Sequence, residues 1–165
     1  MSKIYIILLL LTTNLFLCAQ KKKEIKKLGI RSVTVTDIQG NKSITDSKTI
    51  YDSKGQILEE INYNKQGTLK SSIKYKYNKE GDVIEESEYN ENNALKEKRT
   101  LKYNVLGEKI EEITSDVNNK QIKKVIYSYD MKGLKSEKKI YDANNQLIST
   151  KKYLYTYKLS KTESD

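Results

Sequence analysis

The chain has no histidine, no proline and no tryptophan, one cysteine, Cys18, and one phenylalanine in 165 residues. Lacking histidine and any glycine-rich phosphate loop, it is short of the groups that usually supply acid–base, nucleophilic or phosphate chemistry. No catalytic residue, cofactor or metal ligand is expected, and the chain reads as a non-enzyme. Outside its first twenty residues no apolar stretch approaches the length of about 20 that a spanning helix needs, so the remainder reads as soluble or peripheral. With tryptophan absent, aromatic burial falls to thirteen tyrosines.

The first residues have the order of a signal peptide: Lys3, an apolar run from Ile4 to Leu11, then Leu17-Cys18-Ala19 ahead of Gln20. Residues 1–19 are read as that segment, which makes the protein exported, to the periplasm or the exterior. A lipoprotein signal would put a small residue before Cys18, and Leu17 fits that poorly. With cleavage after Ala19 the mature chain holds no thiol and no disulfide despite an oxidising destination, so strand pairing and packing must stabilise it. Residues 20–27 form a basic tail with Lys21, Lys22, Lys23, Lys26 and Lys27. Solvation is its plain role, and peripheral contact with anionic lipid or polysaccharide its sharper one.

Turn residues recur with a rhythm: Gly55, Gly67, Gly81, Asn93, Gly107, Asn119, Gly133 and Asn145. A short step, as from Gly55 to Gly67, alternates with a step longer by two, as from Gly67 to Gly81, along the whole series. Each marker follows an Asn or Asp by three positions, as in Tyr63-Asn64-Lys65-Gln66-Gly67 and Tyr77-Asn78-Lys79-Glu80-Gly81. The Asx side chain opens such a turn by accepting bonds from its own backbone, and the Gly or Asn takes positive φ, the chemistry of a type I turn closed by a G1 bulge. Steps that differ by two keep side-chain parity, because strand side chains alternate with period two. One short step and one long step together make a two-strand block.

Opposing Asn64 to Thr68 puts Tyr63 opposite Leu69 and Ile61 opposite Ser71. On that register the apolar residues share one face, including Ile57, Ile61, Leu69, Ile73, Leu95, Leu101, Val125 and Leu147. Tyr63, Tyr75, Tyr77, Tyr89, Tyr103, Tyr127, Tyr129, Tyr153 and Tyr155 form a candidate ligand surface there. The reverse face is read as charged, with Glu60, Glu86, Glu88 and Glu112 on acidic strands between basic ones bearing Lys70, Lys74, Lys76, Lys98, Lys102 and Lys124. The formal charge of +9 is thereby largely partnered inside the fold, which argues against specific nucleic-acid binding. Lys135, Lys138, Lys139, Lys151 and Lys152 of the last repeat stay unbalanced.

Glu59, Glu85, Glu111 and Glu137 recur once per two-strand block and fall on the expected tyrosine face. Glu85 should meet Arg99 and Glu137 should meet Lys151. As a row they are candidate ligand or cation groups, but four equivalent positions arise from repetition and are not one active site.

The Tyr-Asp-x-x-Gly turns at Tyr51-Asp52/Gly55 and Tyr129-Asp130/Gly133, with Tyr141-Asp142/Asn145, resemble the YD or Rhs-type repeats of secreted bacterial proteins. The likeness spans about residues 50–158 and is greatest to short exported YD-repeat proteins of Bacteroidetes-type bacteria. It implies a chain of β-hairpins and, in some members, sugar binding. The expected fold is all-β: a β-repeat domain over 28–158, an antiparallel meander of about ten strands, curled or barrel-like, followed by a tail over 159–165. About ten strands at about 4.8 Å spacing expose a face of about 1,400 Å², more than a soluble monomer leaves bare. The leading function is an exported binding or scaffold module that meets glycans or an envelope protein through tyrosines. An envelope lipid carrier or an immunity-type inhibitor is the alternative, and oligomerisation would be one way to cover the face.

Overall fold

A computed structural model describes residues 22–40 and 42–157. The signal segment, Cys18, Lys21 and the 159–165 tail lie outside the described residues. Ten strands follow one another along the chain. They are β1 (Ser32–Gln39), β2 (Lys42–Tyr51), β3 (Ile57–Tyr63), β4 (Leu69–Tyr77), β5 (Val83–Tyr89), β6 (Leu95–Tyr103), β7 (Lys109–Ser115), β8 (Gln121–Tyr129), β9 (Lys135–Tyr141) and β10 (Leu147–Lys152). They form one antiparallel meander in sequence order, with β1 and β10 as its edges, so the sheet is open and not a closed barrel. The described chain falls into two compact units, one through Lys96 and one from Glu97.

The turns have the expected chemistry. Asn64 N–H donates to Thr68 O at 2.9 Å and Gly67 N–H to Asn64 O at 2.8 Å, while Asn64 Oδ1 accepts from Gln66 and Thr68 N–H. The same set recurs at Asp116, Asp130 and Asp142. Asn93, Asn119 and Asn145 take φ of 57°, 60° and 60°, the left-handed region that the rhythm requires. Strands of 7 and 9 residues alternate from β3 to β9, as the short and long steps demand.

The expected faces are corrected by a second bulge. Beyond Tyr63 and Leu69 the register shifts, so Asn62 opposes Ser71 and Ile61 opposes Ser72, leaving Lys70 as an extra residue. The shift repeats three positions after the other turn markers with described pairing, where Leu58, Ile84, Ile110, Ile122, Ser136 and Ile148 are extra. One inserted residue turns every later side chain to the opposite side. Opposed residues share a side, so Glu60 joins Ile73, and Glu86 joins Tyr75, whereas Glu59 joins Lys74 and Glu85 joins Lys76. Apolar residues are therefore divided between both sides, and so are the acidic ones.

No large side chain is fully buried among the described residues. The buried apolar residues are Ile25, Tyr51, Val125 and Tyr127, joined by the polar Gln56, Ser72, Ser87 and Thr114. Stability thus rests on the hydrogen-bonded ladder and on half-buried side chains lying across it. Residues 22–28, expected as a solvated tail through residue 27 and the start of the β-repeat domain at Leu28, form a helix, α1. Its Ile25 is only 5 % exposed, and its backbone lies against the first glycine turn. A β-carbon on Gly55 would stand 2.6 Å from Lys22 O, so this contact requires glycine.

Candidate functional site

The bulge decides what each candidate side chain touches. In the first unit, Glu59 lies 3.9 Å from Lys74, and Glu85 bonds Lys76 at 2.8 Å. In the second, Glu111 forms an ion pair with Lys102 at 2.6 Å and Glu137 one with Lys139 at 2.7 Å. The periodic carboxylates thus meet lysine ammoniums and sit on the lysine side of their strands. Glu137 stands opposite Lys152, not Lys151, which faces Lys138 instead. Among the described residues no group of three or more His, Cys, Asp or Glu side chains is placed to hold a metal ion.

Two further glutamates, Glu60 and Glu112, accept from tyrosines, whereas Glu88 bonds Lys96 at 2.7 Å. Tyr75 donates to Glu60 Oε2 at 2.7 Å, and two blocks further along, Tyr127 reaches Glu112 Oε2 at 3.4 Å. Burial pushes the Tyr75 hydroxyl well above its ordinary value, and the Glu60 bond and nearby Glu86 charge add to it. At Glu112 burial would raise the carboxyl, but the Lys109 ammonium 2.8 Å away outweighs it and holds the carboxyl low.

A second set of tyrosines ties strands together through the main chain. Tyr77 donates to Ile57 O at 2.7 Å, Tyr129 to Lys109 O at 2.8 Å and Tyr155 to Lys135 O at 2.8 Å, each reaching back across the preceding hairpin. Tyr89 lies under the Lys74 ammonium at 4.9 Å, beside the buried Ser72 and Ser87. Tyr103 is half-buried and opposes Lys109 in the ladder. Tyr63 lines a shallow groove of about 410 Å³ with Asp37, Ile44, Asp46, Lys65 and Lys70, a lining too charged for an apolar cargo. The nine tyrosines are thus spread over several different settings.

Tyr153 and Tyr155 differ from the rest. They are 37 % and 43 % exposed, and the neighbouring Tyr157, which the sequence reading did not select, is 57 % exposed. Lys135 stands 4.7 Å from the Tyr127 ring and 5.9 Å from that of Tyr153, Lys138 stands 5.7 Å from Tyr127, and Lys132 lies over Tyr157 at 4.4 Å. The cause is in the sequence: β9 has Lys138 where β3, β5 and β7 have Glu60, Glu86 and Glu112. The last hairpin accordingly gathers exposed tyrosine, exposed Leu147, Ile148 and Leu154, and surplus positive charge. In the other unit, α1 exposes Lys22, Lys23, Lys26 and Lys27.

No protein-family model matches the sequence, and no curated protein does so. Among solved structures the chain is similar to a Bacteroides fragilis protein of unknown function, with 17 % identity over 77 % of this chain and 95 % of that one, at a TM-score of 0.43. It is also similar to a porin-like protein from Bacteroides uniformis, with 10 % identity over 70 % of this chain and 47 % of that one, at 0.38. A DUF3836 family protein from Parabacteroides distasonis shares 17 % identity over 69 % of this chain and 92 % of that one, at 0.26.

Proposed function

We propose that the chain is an exported, non-enzymatic binding or scaffold module of the cell envelope that meets a glycan or another envelope protein through its last hairpin. One observation carries this reading: in a hairpin that exposes Tyr153, Tyr155 and Tyr157, Lys135 stands by Tyr153 and Lys132 over Tyr157, Lys138 faces Lys151, and none of these four lysines has an ion-pair partner among the described residues. Rings with a polar tip suit sugar faces and protein partners alike, and the surplus charge favours an anionic partner. An immunity-type inhibitor would use the same charged patch against one protein.

The purified protein, immobilised and presented with cell-wall glycans, lipid extract and envelope protein over a range of salt, tests it. Retention that survives high salt and is lost when Tyr153 and Tyr155 are changed to alanine is the expected result. Loss of all retention at moderate salt would reduce the surface to non-specific charge and sink the reading.

A further inference from the structure

Among the described residues, the lysines of the edge strand β10 lack the ion pairs that lysines of β4 and β6 make with the strands on either side. Lys76 and Lys102 of the long strands β4 and β6 pair with the short strand that follows, at Glu85 (2.8 Å) and Glu111 (2.6 Å), and Lys74 and Lys96 pair with the short strand that precedes, at Glu59 and Glu88. β10 stands in the long-strand series and carries Lys151 and Lys152, at the positions of Ile73 and Lys74 in β4, and among the described residues no strand follows it in the sheet order. On its paired side Lys151 faces another lysine, Lys138, and Lys152 faces Glu137, whose carboxylate is held by Lys139 at 2.7 Å. The strand also leaves Leu147 and Ile148 exposed, with Leu154 just beyond it. It thus presents free backbone groups, apolar side chains and unanswered positive charge in one row.

We propose that this edge accepts an acidic, extended polypeptide segment of a partner protein as an eleventh, antiparallel strand. The inference rests on the binding-module reading and names the partner's chemistry. Register follows from the interior. β4 places Ile73 and Tyr75 opposite Glu88 and Glu86 of β5, and the corresponding positions of β10 and its extension, three blocks further along, are Lys151 and Tyr153. The incoming segment therefore carries carboxylates at alternate positions, one against Tyr153 and one against Lys151. Main-chain bonds to the edge supply affinity and the carboxylates set the register. A second copy does not supply this strand, since of its two edges β1 carries the single carboxylate Asp37 and β10 carries none.

The probe is a labelled synthetic peptide with the sequence of residues 82–90, Asp-Val-Ile-Glu-Glu-Ser-Glu-Tyr-Asn, titrated against the purified protein. Binding read by fluorescence anisotropy should weaken at least tenfold when the three peptide glutamates become glutamine, and equally in the Lys151→Glu/Lys152→Glu protein. Unchanged thermal melting of that variant shows that its fold is intact. Amides of Ser149 to Lys152 should gain hydrogen-exchange protection on binding. Binding indifferent to charge, protection appearing at β1, or a concentration-dependent dimer abolished by the β10 variant would each overturn the proposal. Retention of glycan or envelope protein without peptide binding overturns it and leaves the binding-module reading standing, whereas absence of all three overturns the two together.

Discussion

A phenolic hydroxyl that reaches a main-chain carbonyl joins two strands at a point where the fold has few buried apolar side chains to do so. Tyr129→Phe removes the 2.8 Å bond to Lys109 O and should lower stability by about 1 kcal/mol in denaturant unfolding, whereas Tyr157→Phe, on an exposed ring, should leave it unchanged. Two glycines separate backbone conformation from packing. Gly55 and Gly107 share a φ of 78°, but only Gly55 has neighbours within 4 Å, those of α1. Gly107→Ala should cost about 1 kcal/mol from the left-handed conformation alone. Gly55→Ala should cost clearly more, and melting temperatures of the pair check this. Thr114 is 5 % exposed, and its hydroxyl has no partner among the described residues. Thr114→Val should therefore hold or raise the melting temperature.

At the scale of the strand, turn positions and strand lengths were legible in the spacing of Gly and Asn, because only a few residue types tolerate positive φ and each marks its position. The sides of the sheet were not, since a bulge of ordinary residues has no such marker. A trace of it is present all the same. Three positions after the turn markers come Leu58, Ile84, Ile110, Ile122 and Ile148, apolar residues on what parity alone makes a charged face. The doublets Glu59-Glu60, Glu85-Glu86 and Glu111-Glu112 say the same, for adjacent glutamates supply one carboxylate to each side. The α1 contact left no periodic signal, only an isolated Ile25 among lysines. Deleting Ile122 should remove the bulge at the start of β8 and turn the residues after it to the other side. The expected result is loss of cooperative unfolding of the second unit, read by circular dichroism and near-ultraviolet tyrosine signal.

For the whole molecule, the tyrosine bonds set how stability depends on pH. Burial raises the hydroxyls of Tyr75, Tyr127 and Tyr129 above their ordinary value, and proton release is therefore easier in the unfolded chain. Their contribution is complete below about pH 10, where free tyrosine titrates, and is lost as pH rises toward the folded values. The melting temperature should fall above about pH 10, with phenolate absorbance appearing together with unfolding. The Glu112 carboxyl, held low, contributes above the ordinary carboxylate range, and its share is lost as pH falls through its folded value. The last hairpin was legible in part: its lysine excess could be counted from the sequence, whereas the exposure of its tyrosines depends on β10 being an edge. The alternation of 7- and 9-residue strands has one more consequence. Turns at one end of the strands, Gly55, Gly81, Gly107 and Gly133, recur at one constant interval, and Gly67, Asn93, Asn119 and Asn145 at the other end recur at the same one. The stretch from Gly55 to Gly81 is thus the smallest insertion or loss that restores direction, sidedness and partner together. Length in this protein is quantised: descendants that have gained or lost pieces in the sheet should differ by whole multiples of that interval, because any other step would have to be absorbed by every strand after it.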